Sequence, residues 1–189
     1  MPRQPASGAD VLGDYQPLAW EAAGPLRLAE RALAEREHAR LMAARPARAA
    51  ALAVLAARHG VVLDGDGAVH DLGAWLVAAA ATAGPEALTG PDAARWAGLA
   101  VDVALWLGER IIARAAAAGG ALRWELYTGV KKSTGYQRAV LSGFRRVADR
   151  RYYVDVAHFV GGWLELAIRR RPARADFLAV IEATALADA

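Results

Sequence analysis

Asp155 and His158 stand three residues apart in the stretch VDVAHFV, the separation that puts two side chains on one face of a helix. A carboxylate beside an imidazole is a minimal apparatus for proton transfer. Glu109 and Asp102, seven apart in VDVALWLGER, share a helix face by the same periodicity. Glu109, Asp155 and His158 are therefore the candidate catalytic residues, for acid–base work at a carboxylate and histidine site. The competing reading is structural. Each polar group then sits at the edge of an apolar stripe, hydrogen-bonded or paired with Arg110 or Arg114, because charged groups are rarely buried alone. The histidines are His38, His59, His70 and His158, with no HExxH among them, so neither a metal site nor a cofactor is expected. The serines, Ser7, Ser133 and Ser142, lie outside any GxSxG elbow. VKKST lacks the glycine that a phosphate loop places before its lysine, and reads as a polar hairpin loop. Cysteine is absent, which excludes disulfides, thiolate zinc sites, iron–sulfur clusters and cysteine nucleophiles.

Charge is the less ordinary feature. From Lys131 to Arg174 the chain holds 11 basic and 3 acidic residues, while the rest holds 12 basic and 17 acidic. Lys131, Lys132, Arg145, Arg146, Arg150 and Arg151 are the candidate partner-binding residues, with Tyr136, Phe144, Tyr152 and Tyr153 interleaved. An anionic partner would meet such a segment: an acidic protein surface, or a nucleic acid whose bases stack on the rings. Alternatively the basic segment packs against the acidic N-terminal helices and leaves no free patch. No RNA-recognition motif, zinc finger or helix-turn-helix pattern is present. The isoelectric point of 9.6 says little, because an Arg- and Ala-heavy composition is also what a GC-rich genome produces.

These residues need elements to hold them. The 189 residues suit one domain, expected over 17–189 after a loose N-terminal segment at 1–16. Helical periodicity begins at Pro25. Pro46 should open a second helix, since proline suits a first turn, and Gly60 should end it. VVLDGDG leads to a third helix reaching about Ala83, with Asp66 as its cap. Thr89 and Asp92 have capping-box spacing before a long apolar helix over about 91–118. The period then falls to two in LRWELYTGV, a half-buried strand, and YQRAVLSGFRRV follows the KKSTG loop as a second. Helices over about 153–168 and 173–187 complete the chain. The expected fold is helix-dominated α+β: about six helices around a small antiparallel strand pair, with room for a third short strand near residue 62. Of the six tryptophans, Trp75, Trp96, Trp106, Trp124 and Trp163 fall on inward faces and read as core, and Trp20 as an anchor for the N-terminal segment. MPRQPASGAD has no apolar run to serve as a secretory signal. The longest uncharged stretch, Leu72 to Pro85, is too short for the roughly 20 residues that span a bilayer. A cytoplasmic location is expected.

VVLDGDGAVHDLGAWL, WAGLAVDVALWLGERI and GGALRWEL, followed by a second strand and an aromatic helix, make a pattern over residues 50 to 170. It resembles uncharacterised bacterial α+β proteins of high-GC organisms. The resemblance implies no activity and carries over no catalytic residue. Some small proteins of this style look like immunity proteins for secreted toxins, which bind rather than catalyse. The first expectation is therefore a non-enzymatic, immunity- or adaptor-like binding module for a protein partner with an acidic surface, using the region 131–152. A nucleic-acid-binding regulator is the alternative, and an enzyme the second alternative. The Ala- and Trp-rich helices would equally suit a homodimer seam.

Overall fold

The computed structural model describes residues 11–18, 21–22, 24–149 and 151–189. The described residues form five α-helices and one two-stranded antiparallel sheet: α1 (Arg31–Arg58), α2 (Ala68–Ala83), α3 (Gly90–Ala117), β1 (Arg123–Leu126), β2 (Ala139–Ser142), α4 (Val156–Ile168) and α5 (Phe177–Asp188). Short 3-10 turns precede α1 and α3.

The two helices expected on either side of Pro46 are one helix. A proline inside a helix leaves the carbonyl four residues back without its donor. Here that carbonyl belongs to Met42, and the Arg45 guanidinium donates to it at 3.0 Å. The neighbouring side chain thus replaces the missing N–H, and the helix runs through. It ends at Gly60 as expected: with φ +76°, Gly60 donates to Ala57 O while Val61 donates to Ala56 O, the paired closure that spends the last free carbonyls.

The expected caps are not the ones used. Gly67, not Asp66, precedes α2, and Asp66 lies 3.6 Å from Arg110 instead. Thr89 flanks α3 without capping it, because its hydroxyl donates back to Glu86 O at 2.9 Å. Val61 to Leu63 is irregular chain rather than a third strand. β2 finds its second neighbour elsewhere, in a single antiparallel bridge between Leu141 and Val154.

α3 is the centre of the molecule. Leu99, Val103, Leu107 and Ile111 are fully buried along it, and α1, α4 and α5 pack around it. The sheet lies over its C-terminal half. The register pairs Trp124 with Leu141 and Arg123 with Ser142, so successive residues point to opposite faces. The inner face carries Trp124 and the fully buried Leu141. Trp124 rests on Gly108 of α3, where any Cβ would overlap its six-membered ring. That glycine lets the strand approach the helix. Trp96 and Trp163 are buried, whereas Trp75, Trp106 and Trp124 are half-buried; Trp20 lies outside the described residues.

Part of the N-terminal segment expected to be loose packs on the body of the fold. Leu12 and Tyr15 are buried in the main core, and Pro17 sits on Gly98 of α3. Tyr15 donates its hydroxyl to Asp102, a fully buried carboxylate that also faces Arg48 of α1. Burial and the Asp102 charge push the Tyr15 hydroxyl well above the usual tyrosine range, so it stays a neutral donor. Among the described residues no helix is long and apolar enough to cross a membrane.

Candidate functional site

The outer face of the sheet is where basic and aromatic residues gather. β1 presents Arg123 and Glu125 there, and β2 presents Val140 and Ser142 opposite them. The chain after β2 turns sharply at Gly143, with φ +94°, and folds over this face as far as Val154. Sheet and turn enclose an open cleft of about 840 Å³.

What holds the overlying turn explains which of its arginines are free. Arg146 is committed to the end of α5: its backbone N–H donates to Asp188 O at 3.2 Å and its guanidinium to Ala187 O at 3.3 Å. Tyr152 donates its hydroxyl to the Asp188 carboxylate at 3.1 Å. Burial and that carboxylate raise the Tyr152 hydroxyl above its ordinary value. Arg145 reaches Gly119 O just past α3, at a long 3.4 Å. Both contacts suit cations at helix C-termini, where the unpaired carbonyls concentrate negative charge. Arg145 still lines the cleft, together with Arg151, whose side chain has no hydrogen-bond or ion-pair partner among the described residues. Phe144 meets Tyr152 edge to face at 5.0 Å, and Tyr127 meets Tyr153 at 4.1 Å between ring centroids. The Tyr153 hydroxyl is bonded to Ser133 in the β1–β2 loop.

Of the six residues expected to bind a partner, Arg145 and Arg151 line the cleft. Lys131 and Lys132 are exposed in the β1–β2 loop. Arg146 is exposed but tied to α5, and Arg150 lies outside the described residues. Arg123 and Glu125 were missed by the charge window, which opened at Lys131. Their signal was the polar half of the alternation in LRWELYTGV. Glu125 is held by Arg123 at 3.1 Å and by the Ser142 hydroxyl at 2.7 Å.

The basic segment does not spend its charge on the acidic helices. Four carboxylates of α1 and α3 pair instead with arginines of α1: Glu35 with Arg31, Glu37 with Arg40, Asp102 with Arg48, and Glu109 with Arg45. Burial raises the Glu37 carboxyl, but Arg40 and the backbone N–H groups of Glu21 and Ala22 outweigh that and hold it below its ordinary value. Among the described residues Lys131, Lys132, Arg145, Arg146 and Arg151 form no ion pair.

Glu109, Asp155 and His158 have separate partners. Glu109 accepts from Arg45 and from the Trp124 indole at 2.8 Å. Asp155 caps α4, accepting the His158 backbone N–H at 2.9 Å, and its other oxygen lies 2.8 Å from Arg138 Nε without an aligned hydrogen bond. Burial pushes the Asp155 carboxyl up, although Arg138 and the cap work against it. The imidazole of His158 is exposed and stands 5.9 Å from the Phe159 ring. Asp155 and His158 thus meet through a backbone N–H, not through carboxylate and imidazole. Arg110 and Arg114, expected beside these groups, bind buried Glu182 of α5 at 2.7 and 3.2 Å. Among the described residues no three His, Asp or Glu side chains gather as a metal site requires.

The comparisons with known proteins add no relative to this geometry: no family model matches the chain, and neither a curated protein nor a solved structure is significantly similar to it.

Proposed function

We propose that the chain is a non-enzymatic, cytoplasmic binding module, immunity- or adaptor-like, that recognises a protein partner with an acidic surface through the cleft and its basic rim. One observation carries the reading: Lys131, Lys132, Arg145, Arg146 and Arg151 are exposed and form no ion pair among the described residues, while Glu35, Glu37 and Glu109 are paired with arginines of α1. Unpaired charge at a rim steers association and discriminates between partners. Rings beside it supply the rigid contact area that interfaces favour. The enzyme alternative has less support, because Glu109 and Asp155 are each engaged by a different arginine.

The test is capture of partners from native lysate by the tagged protein, with and without nuclease. A single protein retained after nuclease, and released by Arg151→Glu, supports the module. Loss of all bound material on nuclease treatment rejects it in favour of the nucleic-acid alternative, which the ring pairs in the cleft would serve. Binding to nucleic acid would also weaken steeply with salt.

A further inference from the structure

The cleft has properties that contact with an acidic protein surface does not use, and its role as a recognition site is the premise from which a small ligand can be inferred. Its volume of about 840 Å³ falls within the range of roughly 300 to 1,000 Å³ typical of pockets that enclose small ligands. A protein surface resting on the rim would leave that space unfilled. The lining brings guanidinium groups from three separate stretches of chain: Arg123 from β1, Arg145 from the turn after β2, and Arg151 from the return toward α4. Against them, among the described residues, stands one lining carboxylate, Glu125, already engaged by Arg123 and Ser142. An arginine fork offers paired donors that match phosphate oxygens and is weakly hydrated, so it surrenders water to an anion at small cost. The remaining walls are rings. Tyr127 with Tyr153, and Phe144 with Tyr152, form two aromatic pairs along the cleft.

A ligand that satisfies all of this needs a flat ring for the aromatic walls and at least two negative charges for the arginines. It also needs hydroxyl or amino hydrogens for the acceptor oxygens of Glu125. We infer that the cleft binds a nucleoside phosphate, its base against the tyrosine and phenylalanine rings and its phosphate among Arg123, Arg145 and Arg151.

Calorimetric titration of the intact chain tests this with adenosine diphosphate, guanosine diphosphate, adenosine, inorganic phosphate and a short single-stranded DNA. One of the diphosphates should bind at least about tenfold more tightly than adenosine or inorganic phosphate, since ring and phosphate each contribute. Arg151→Glu should weaken that binding at least about tenfold, and among the described residues the Arg151 side chain makes no bond that the substitution would break. Circular dichroism would verify that the variant is folded. No binding of either diphosphate, or binding no better than inorganic phosphate, overturns the inference. Tighter binding of the DNA than of either nucleotide overturns it as well, since the cleft would then be a groove for a strand. Partner capture by a chain that binds no nucleotide removes this inference and leaves the module reading intact. Nucleotide binding without any captured protein does the reverse.

Discussion

Replacing Arg48 with methionine should cost about 3–5 kcal/mol of stability, the usual consequence of removing one partner of a buried ion pair. Asp102 is fully buried on α3, and Arg48 Nε lies 3.0 Å from each of its carboxylate oxygens. The same guanidinium donates to Gln16 O at 2.8 Å and lies over the Tyr15 ring, 5.5 Å from its centre. Methionine fills much of the stem's volume but carries no charge. Asp102 would keep the Tyr15 hydroxyl alone, a neutral donor for a charge cut off from water. Urea denaturation followed by tryptophan fluorescence measures the loss, with the denaturant slope expected unchanged. At about 2–4 °C per kcal/mol for a chain of this size, the midpoint of thermal unfolding should fall by roughly 6–20 °C. Adding Asp102→Leu should restore much of the loss, since the stranded charge goes with it. A cost below about 1 kcal/mol for the single variant would mean that Asp102 is hydrated rather than sealed. A double variant no better than the single one would mean that the lost arginine packing, and not the charge, is what matters.

Four further outcomes are expected from particular contacts. Pro46→Ala restores an N–H for Met42 O and should raise stability by about 1–2 kcal/mol by urea titration, less than the full interior-proline penalty because Arg45 already serves that carbonyl. Gly108→Ala drives a methyl into the Trp124 ring and should cost about 1–3 kcal/mol, with a change in near-ultraviolet circular dichroism as the hairpin lifts. Asp155→Ala should cost about 1 kcal/mol through loss of the α4 cap, whereas Asp155→Asn should keep the cap and most of that stability. The folded pKa of Asp155 is raised, so its titration contributes stability that is present below the unfolded pKa of about 3.9 and lost as pH rises through the higher folded value. Wild type minus Asp155→Asn, measured as stability from acid to neutral pH, should therefore decline over that interval, and a rise would refute the assignment.

The parts of this fold that were legible in the sequence are those set by local pattern. Gly60 stops its helix, because it lies just past the last apolar turn and adopts the left-handed backbone that glycine tolerates. The strand over LRWELYTGV was legible from its period of two, although only Arg123–Leu126 forms the ladder. The parts that were not legible depend on tertiary partners. Pro46 reads as a helix start unless Arg45 is known to reach Met42 O. Asp66 and Thr89 read as caps unless Arg110 and Glu86 are seen to claim them. The same holds at the cleft. Arg145 and Arg151 were legible as charge, but Arg123 belongs with them only because a turn of chain folds back over the sheet. Asp155 shared a helix-face spacing with His158, and Glu109 with Asp102, but Arg45 claims Glu109 and Arg138 claims Asp155.

The bond between Tyr15 and Asp102 joins residues 87 positions apart, and it sets an order of assembly. Closing a loop of that length gains nothing until its target exists, and the target is built from Arg48 on α1 and Asp102 on α3. Those two helices must therefore dock first, leaving a buried carboxylate in want of a second donor. The N-terminal segment then arrives last and is the first to leave. Amide exchange should record it as a separate opening, with protection at Tyr15 falling below that of Leu99 and Leu107. During synthesis Tyr15 would precede its acceptor by 87 residues, so the donor of this latch exists well before the helix that receives it.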